Sequence, residues 1–497
     1  MSGHASGHAH ELGQERPPPL PSAWDAALDA ATDHARNYLA GLRERPVSAR
    51  ATLDELRTAL AVPLPDEPVE PAMVVNDLAE AAEPGVVATG SPRYFGFVIG
   101  GALPAALAAD WLAATWDQNA GLYACGPPAA VVEEVAGRWV LDLLGLPRSA
   151  SFGFVTGGQM ANFTALAVAR HAVLARHGWD VEARGLSAAP PIRVLTSDLR
   201  HATIDRALRY LGLGTDAAVV IPSGPDARLP VDALAAALDD RPGEHPRPTI
   251  VCAQAGEVNT GAVDQLAEIC RVAHAAGAWV HVDGAFGLWA AASPALRPAL
   301  AGVEQADSWA TDFHKWLNVP YDSGFVACAD ADAHRAAMGV RAAYLIRADE
   351  DPTAARDEVD WNPEFSRRGR GFAVYAALRS LGRRGVAEMV EGSCARARQF
   401  AERLERMERA EVLNDVGLDQ VLVRFRAGSA AAGADPAADD AVTRRVIAAL
   451  QASGECWMSG TTWRGHAAMR ISVVNWQTTE ADVDRTITAV ERALASG

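Results

Sequence analysis

Between about residues 150 and 330 the chain alternates short, continuously apolar runs with longer stretches whose apolar residues recur every three to four positions. A run that is apolar at every position reads as a strand buried on both faces, and the three-to-four spacing reads as one face of a helix. Strands are predicted at Ser151–Val155, Ile192–Thr196, Ala218–Ile221, Thr249–Ala253, Trp279–Val282, Ser308–Thr311 and Ser323–Ala327. Helical patterns lie between them at Ala161–His177, Thr203–Leu211, Val231–Leu238 and Asp264–Ala276. This alternation predicts an α/β domain with a mostly parallel seven-stranded sheet covered on both faces.

The flanks read differently. Residues 1–20 are a His/Gly/Pro-rich tail, and a solvated, disordered tail accounts for His4, His8 and His10 without a metal. From residue 21 to 85 a helical arm is predicted, with Trp24, Ala27, Leu28 and Ala31 on one face. Within it, Thr52 and Glu55 have capping-box spacing, and Pro63, Pro65, Pro68 and Pro71 read as an extended linker. The large domain is assigned to 86–385 and a small α+β domain to 386–497. The latter comprises a helix at Val386–Glu408, a strand at Gln420–Phe425, a helix at Asp440–Ala452, a strand at Met469–Val474 and a helix at Thr479–Leu494.

Composition narrows the partners. A formal net charge of −17 argues against a nucleic-acid surface and against a polybasic membrane anchor. No apolar run reaches the ~20 residues that span a bilayer. The first residues lack the layout of a secretion signal. The 6 cysteines show no paired spacing, which fits free thiols in a reducing cytoplasm and neither a disulfide nor a zinc framework.

Three segments carry chemistry. Phe152–Asn162 reads strand, Thr-Gly-Gly turn, helix start, where glycines let the backbone approach an anion and helical N–H groups point at it. Alone, such a turn suits any α/β domain. Trp279–Gly287 is an apolar strand ending in Asp283, at the strand end that faces a ligand crevice, followed by small residues. In Asp307–Gly324, Lys315 lies among apolar and aromatic residues. Burying an amine disfavours its charged form, which makes it a nucleophile able to form an imine; a packed stem with a wet tip is the bland alternative. A phosphate cradle, a strand-end carboxylate and a buried lysine are together explained by pyridoxal phosphate. The lysine would hold the aldehyde and the acid would pair with the pyridinium nitrogen.

On these residues the chain resembles the group II pyridoxal-phosphate-dependent amino-acid decarboxylases, the family of aromatic-amino-acid and glutamate decarboxylases. The resemblance is strong over roughly 85–390 and looser beyond. It rests on Ser91–Phe97, Thr156–Asn162, Ser197–His201, His281–Ala285 and Asp312–Trp316. It implies a fold-type I enzyme, with Lys315 as cofactor carrier and His314 beside it. Asp283 would lie at the ring nitrogen, Ala285 against the ring and His201 stacked on the opposite face. Gly158, Gln159 and Asp312 would surround the phosphate. It also implies a homodimer and a small amino-acid substrate.

Two positions depart from the family pattern. Gly100 stands where relatives often place a Thr facing the cofactor, and Glu257 stands at a usual hydroxyl position. By resemblance, Tyr344 would supply the acid that protonates Cα, with the charged stretch Arg347–Asp360 as an exposed lid; a packing Tyr is the alternative. That Tyr favours amine formation over an aldehyde synthase or other carbon–carbon lyase. A non-catalytic cofactor-binding protein is the remaining alternative. Phe97, Ile99, Leu122, Tyr123 and Trp116 would form an apolar substrate wall, unless they are simply core, and Arg93 is the alternative handle for an acidic side chain.

Overall fold

The computed structural model describes residues 22–239, 247–340, 355–428 and 435–496. Their contacts divide into two units, one ending at Arg45 and resuming over Ala49–Val87, the other comprising Pro46–Ser48 and Ala88 onward. The first contains helices Ser22–Gly41, Leu53–Leu60 and Pro71–Ala82. Thr52 and Glu55 form the expected capping box. Pro71 does not belong to a linker: it opens the third helix at a position where proline's missing N–H costs nothing. Trp24, Leu28, Leu53, Met73 and Leu78 are exposed, and the second and third helices bury no residue.

The second unit is built on strands β1 (Ser151–Val155), β2 (Arg193–Ser197), β3 (Ala218–Ile221), β4 (Thr249–Gln254), β5 (Trp279–Asp283), β6 (Ser308–Asp312) and β7 (Gly324–Cys328). They form one sheet in the order β1-β7-β6-β5-β4-β2-β3. β7 runs antiparallel to both neighbours and the other pairings are parallel. β1, β4, β5, β6 and β7 are buried at every position, as their unbroken apolar runs require. Helix Gly158–Ala175 covers one face with Ala165, Leu166 and Val168 against Val194, Ile250 and Trp279.

A smaller antiparallel sheet follows, of β8 (Ala410–Val412), β9 (Gln420–Phe425), β10 (Ser459–Trp463) and β11 (His466–Ser472), in the order β10-β11-β9-β8. Phe400, Val446 and Val490, from helices Gly371–Glu405, Pro436–Ser453 and Glu480–Ala495, pack on it. The first of these helices starts well before the predicted Val386. Its backbone leaves helical geometry at Gly382 (φ +61°), so it is two helical segments joined at a kink, the second of which starts close to the predicted Val386.

Candidate active site

The carboxyl ends of the parallel strands converge on one edge, where open α/β sheets bind ligands. β5 ends at Asp283 and β6 at Asp312, while β1 leads into the turn that starts the Gly158 helix. Lys315 follows β6, and its Nζ lies 2.8 Å from Asp312 Oδ2. Asp312 also accepts from the Gly158 N–H. His314 Nδ1 accepts from the Ser323 N–H at 3.2 Å, so the ring's other nitrogen carries the proton, 3.3 Å from Asp312 Oδ1. The imidazole stacks on Tyr321 with centroids 4.1 Å apart. Burial lowers the His314 pKa, against the pull of Asp312. Asp312 is therefore the organising carboxylate of the turn: it gathers Lys315, His314 and Gly158.

Asp283 accepts from Asn162 Nδ2 at 3.0 Å and from the Ala285 N–H at 3.3 Å. His201 caps helix Ala202–Tyr210, its Nδ1 accepting from the Thr203 N–H at 3.3 Å. Its surface is exposed, yet desolvation by the surrounding protein lowers its pKa, with Asp283 opposing. Gln159 reaches the Thr203 carbonyl at 3.4 Å. Lys315, His314, Asp312 and Gly158 are thus in one contact set, and Asp283, Ala285 and His201 in a second joined through Asn162 and Thr203.

The substrate-side expectations need correction. Arg93 is no handle for an acidic substrate: it is fully buried, donates to the Glu455 carbonyl and lies 3.8 Å from the Glu455 carboxylate. Glu257 is also buried and spends its carboxylate on its own turn, accepting from Asn259 N, Asn259 Nδ2, Thr260 N and Thr260 Oγ1 at 2.7–3.0 Å. Gly100 is demanded by packing: a Cβ there would sit 2.1 Å from the Lys315 carbonyl oxygen. Gly100→Ala is expected to displace the Lys315 backbone, costing about 1–3 kcal/mol of stability and loosening the cofactor; thermal melts and cofactor retention on dialysis measure both.

Phe97 is 59% exposed and tilts against Trp457, Leu122 is buried, and Ile99 and Tyr123 are partly exposed. Trp116 packs edge-on to Phe372. Tyr344 lies outside the described residues. The stretch around it ends differently from an exposed lid. Glu358 is fully buried and pairs with Arg356 at 2.8 Å, and burial pushes its carboxyl up to about 7.

Sequence reasoning assigned no role to Asn162, Thr203, His281, Ser308 or Arg470. His281 had a signal, since it alternates with Asp283 along β5 and so shares its face. Arg470, on β11, is largely enclosed, with Nε and Nη2 bonded to no acceptor among the described residues and its charge acting on His201.

The residues fit pyridoxal phosphate. The turn has no Cβ at Gly158, where one would meet Asp312 Oδ2 at 2.7 Å; the enclosed lysine is poised on a carboxylate; and Asp283 is a buried strand-end acid among small residues. A family model described as the pyridoxal-dependent decarboxylase conserved domain matches residues 54–427. Aromatic-L-amino-acid decarboxylase of Bacillus atrophaeus is 28% identical over 450 residues, 90% of each chain. L-2,4-diaminobutyrate decarboxylase of Rhizobium meliloti (strain 1021) is 29% identical over 428 residues, 86% of this chain and 83% of that one. The Oryza sativa TDC structure with PLP and tryptamine superposes with a TM-score of 0.88 at 25% identity, covering 97% of this chain and 99% of that one. A lysine, two aspartates and a glycine turn at the edge of this sheet, in a sequence matched over most of its length, place the chain in the pyridoxal-dependent decarboxylase family, the carboxy-lyases that act on amino acids with pyridoxal phosphate.

Proposed function

We propose that the protein decarboxylates an L-amino acid with an aromatic or large apolar side chain, giving the amine and CO2. The observation that carries the substrate class is that the two polar candidates read from the sequence on the substrate side, Arg93 and Glu257, are both spent on the protein itself. Arg93 is turned onto Glu455 and Glu257 onto its own turn, which leaves Phe97, Ile99, Leu122 and Tyr123 to meet the side chain. The similarity to aromatic-L-amino-acid decarboxylase supports the same class. A panel of amino acids scored by CO2 release tests it. Tryptophan, tyrosine or phenylalanine should be turned over fastest; faster release from diaminobutyrate or glutamate would overturn the apolar reading.

Bound pyridoxal phosphate supplies the electron sink for the pair left when the carboxylate departs. The chain's own residues do the rest. Lys315 provides the amine, and Asp312 holds it in place. Asp283 would hold its carboxylate opposite the ring nitrogen and, by accepting a hydrogen bond, keep that nitrogen protonated, and the Asn162 Nδ2 and Ala285 N–H groups fix that carboxylate. His201 presents its ring from a helix start, where Thr203 holds it.

Tyr344 is the acid we propose for returning a proton to Cα. Tyr344→Phe should still release CO2 but slow amine formation by about 10²–10⁴-fold, so that the amine-to-CO2 ratio falls and aldehyde appears. One amine per CO2 at the parent rate would remove Tyr344 from the mechanism. A homodimer is the assembly we propose, supported by the apolar residues that the N-terminal helices leave exposed. Sedimentation showing a fully active monomer would refute it. A cytoplasmic location is likewise proposed, on the unpaired cysteines.

A further inference from the structure

Behind Asp283 lies a file of polar side chains in an otherwise apolar layer. Trp279, His281 and Asp283 alternate along β5 and share a face. β6 sets Ser308 in register with His281, and helix Gly158–Ala175 brings Asn162 over both His281 and Asp283. Asn162 is 1% exposed, and His281 and Ser308 are 0% exposed. Trp279 Nε1 lies 2.9 Å from Ser308 Oγ, Ser308 Oγ lies 3.0 Å from His281 Nδ1, and His281 Nε2 lies 2.9 Å from Asn162 Oδ1. Asn162 Nδ2 then lies 3.0 Å from both Asp283 Oδ2 and Thr203 Oγ1.

With Asp283 ionised, each hydrogen-bond role along this file follows from its neighbours. An indole N–H only donates, so Ser308 Oγ accepts from Trp279. An ionised carboxylate only accepts, so Asn162 must turn its NH2 toward Asp283 and its carbonyl oxygen toward His281. His281 must therefore carry its proton on Nε2, and its bare Nδ1 accepts the Ser308 O–H. Both ends demand the same direction. Burial, which pushes the His281 pKa down to about 4 against the pull of Asp283, keeps the ring neutral, as a single tautomer requires. The second N–H of Asn162 donates to Thr203 Oγ1. That frees the Thr203 hydroxyl to donate to His201 Nδ1, 2.9 Å away, and leaves the proton of a neutral His201 on Nε2.

We propose that His281 is a positioning residue for the decarboxylation: by locking the Asn162 amide it fixes the carboxylate of Asp283, and through Thr203 Oγ1 it supports the His201 ring, whose Nδ1 the Thr203 N–H already holds as an acceptor. This rests on reading Asp283 as the partner of the cofactor's ring nitrogen. A half-satisfied network would be worse than none, because an amide free to flip would turn its oxygen onto a buried carboxylate.

Neutron diffraction from the deuterated holoenzyme tests the proton positions directly. Deuterium should lie on Nε2 of His281 and Nε2 of His201, with neither ring doubly protonated; deuterium on His281 Nδ1 would overturn the proposal. Kinetics give the second test. His281→Leu should lower kcat on the order of 10–100-fold with KM changed by less than about threefold, and weaken cofactor binding about tenfold in equilibrium titration. His281→Gln, whose amide can donate toward Asn162, should recover most of both. Parent values of kcat and cofactor affinity in His281→Leu would sink the relay. If Asp283→Ala also kept its turnover, the reading of Asp283 would fall with it, whereas a dead Asp283→Ala beside an active His281→Leu would fell the relay alone. Should His281→Leu not fold, the deuterium positions in the parent protein decide the matter.

Discussion

Lys315→Arg is expected to fold, to melt near the parent temperature, to lose its cofactor on dialysis and to release CO2 at least about 10²–10⁴-fold more slowly. The choice of arginine separates two duties of the lysine. Its ammonium offsets the buried Asp312 carboxylate at 2.8 Å, and its amine is the nucleophile. Lys315→Ala removes both. Among the described residues it leaves Asp312 with the Gly158 N–H and His314, so it is expected to destabilise the chain as well as inactivate it. A guanidinium keeps the charge and donates to the same carboxylate, but it does not form an imine with an aldehyde at neutral pH. Borohydride reduction followed by peptide mapping should place the cofactor on Lys315 in the parent and nowhere in either variant. An arginine variant that still released CO2 faster than about one hundredth of the parent rate would show that another residue carries the cofactor.

The sheet was legible because its strands are buried on both faces. Their apolar runs leave little choice of boundary, and the predicted strands agree with the observed ones to within a residue or so at each end. The direction of β7 was not legible, since a short apolar run looks the same in either sense and only pairing with β1 and β6 reveals it. β10 was missed because Gly460, Thr461 and Thr462 are polar or small and none of them is buried on this edge strand, so no apolar alternation marks it. The predicted helix from Val386 matches the segment after Gly382, whose non-helical backbone interrupts Gly371–Glu405; the segment before that glycine was not predicted.

In the site, the residues that touch the chemistry carry local signals: an acid at a strand end, and a lysine among aromatics. The residues that hold them do not. Arg93 looked available because the partner that buries it, Glu455, lies far along the chain in the segment before β10. Glu257 looked like a substitute for a hydroxyl, yet its short-range bonds to Asn259 and Thr260 make it a turn former. That local competition is typical of an acid ahead of Asn and Thr, and the sequence contained it. Asn162 and Ser308 come from a helix and a neighbouring strand, and only the register of β5 with β6 brings them to His281.

Asp283→Asn is expected to fold and bind cofactor but to lower turnover about 10²–10³-fold, the scale of removing one preorganised electrostatic partner. Asp283 is 5% exposed and ends β5 with an N–H donor on each oxygen. An amide of the same shape leaves the packing of the sheet intact, so stability and substrate affinity should move little. What it cannot do is sit opposite a positively charged ring nitrogen and balance its proton; an amide oxygen carries only a partial charge. It also brings a rival NH2 up to Asn162 Nδ2, which has already given its protons to Asp283 and Thr203. The new amide must therefore turn its oxygen toward Asn162 and its NH2 toward the Ala285 N–H, setting donor against donor and leaving no full acceptor charge for the ring nitrogen. Asp283→Glu keeps the charge but pushes an extra methylene toward the cofactor, and should recover only part of the rate. The measurement is single-turnover CO2 release together with the ¹⁵N shift of ring-labelled cofactor, which reports the proton on the ring nitrogen. A protonated ring and parent turnover in Asp283→Asn would mean that a different acid faces the ring.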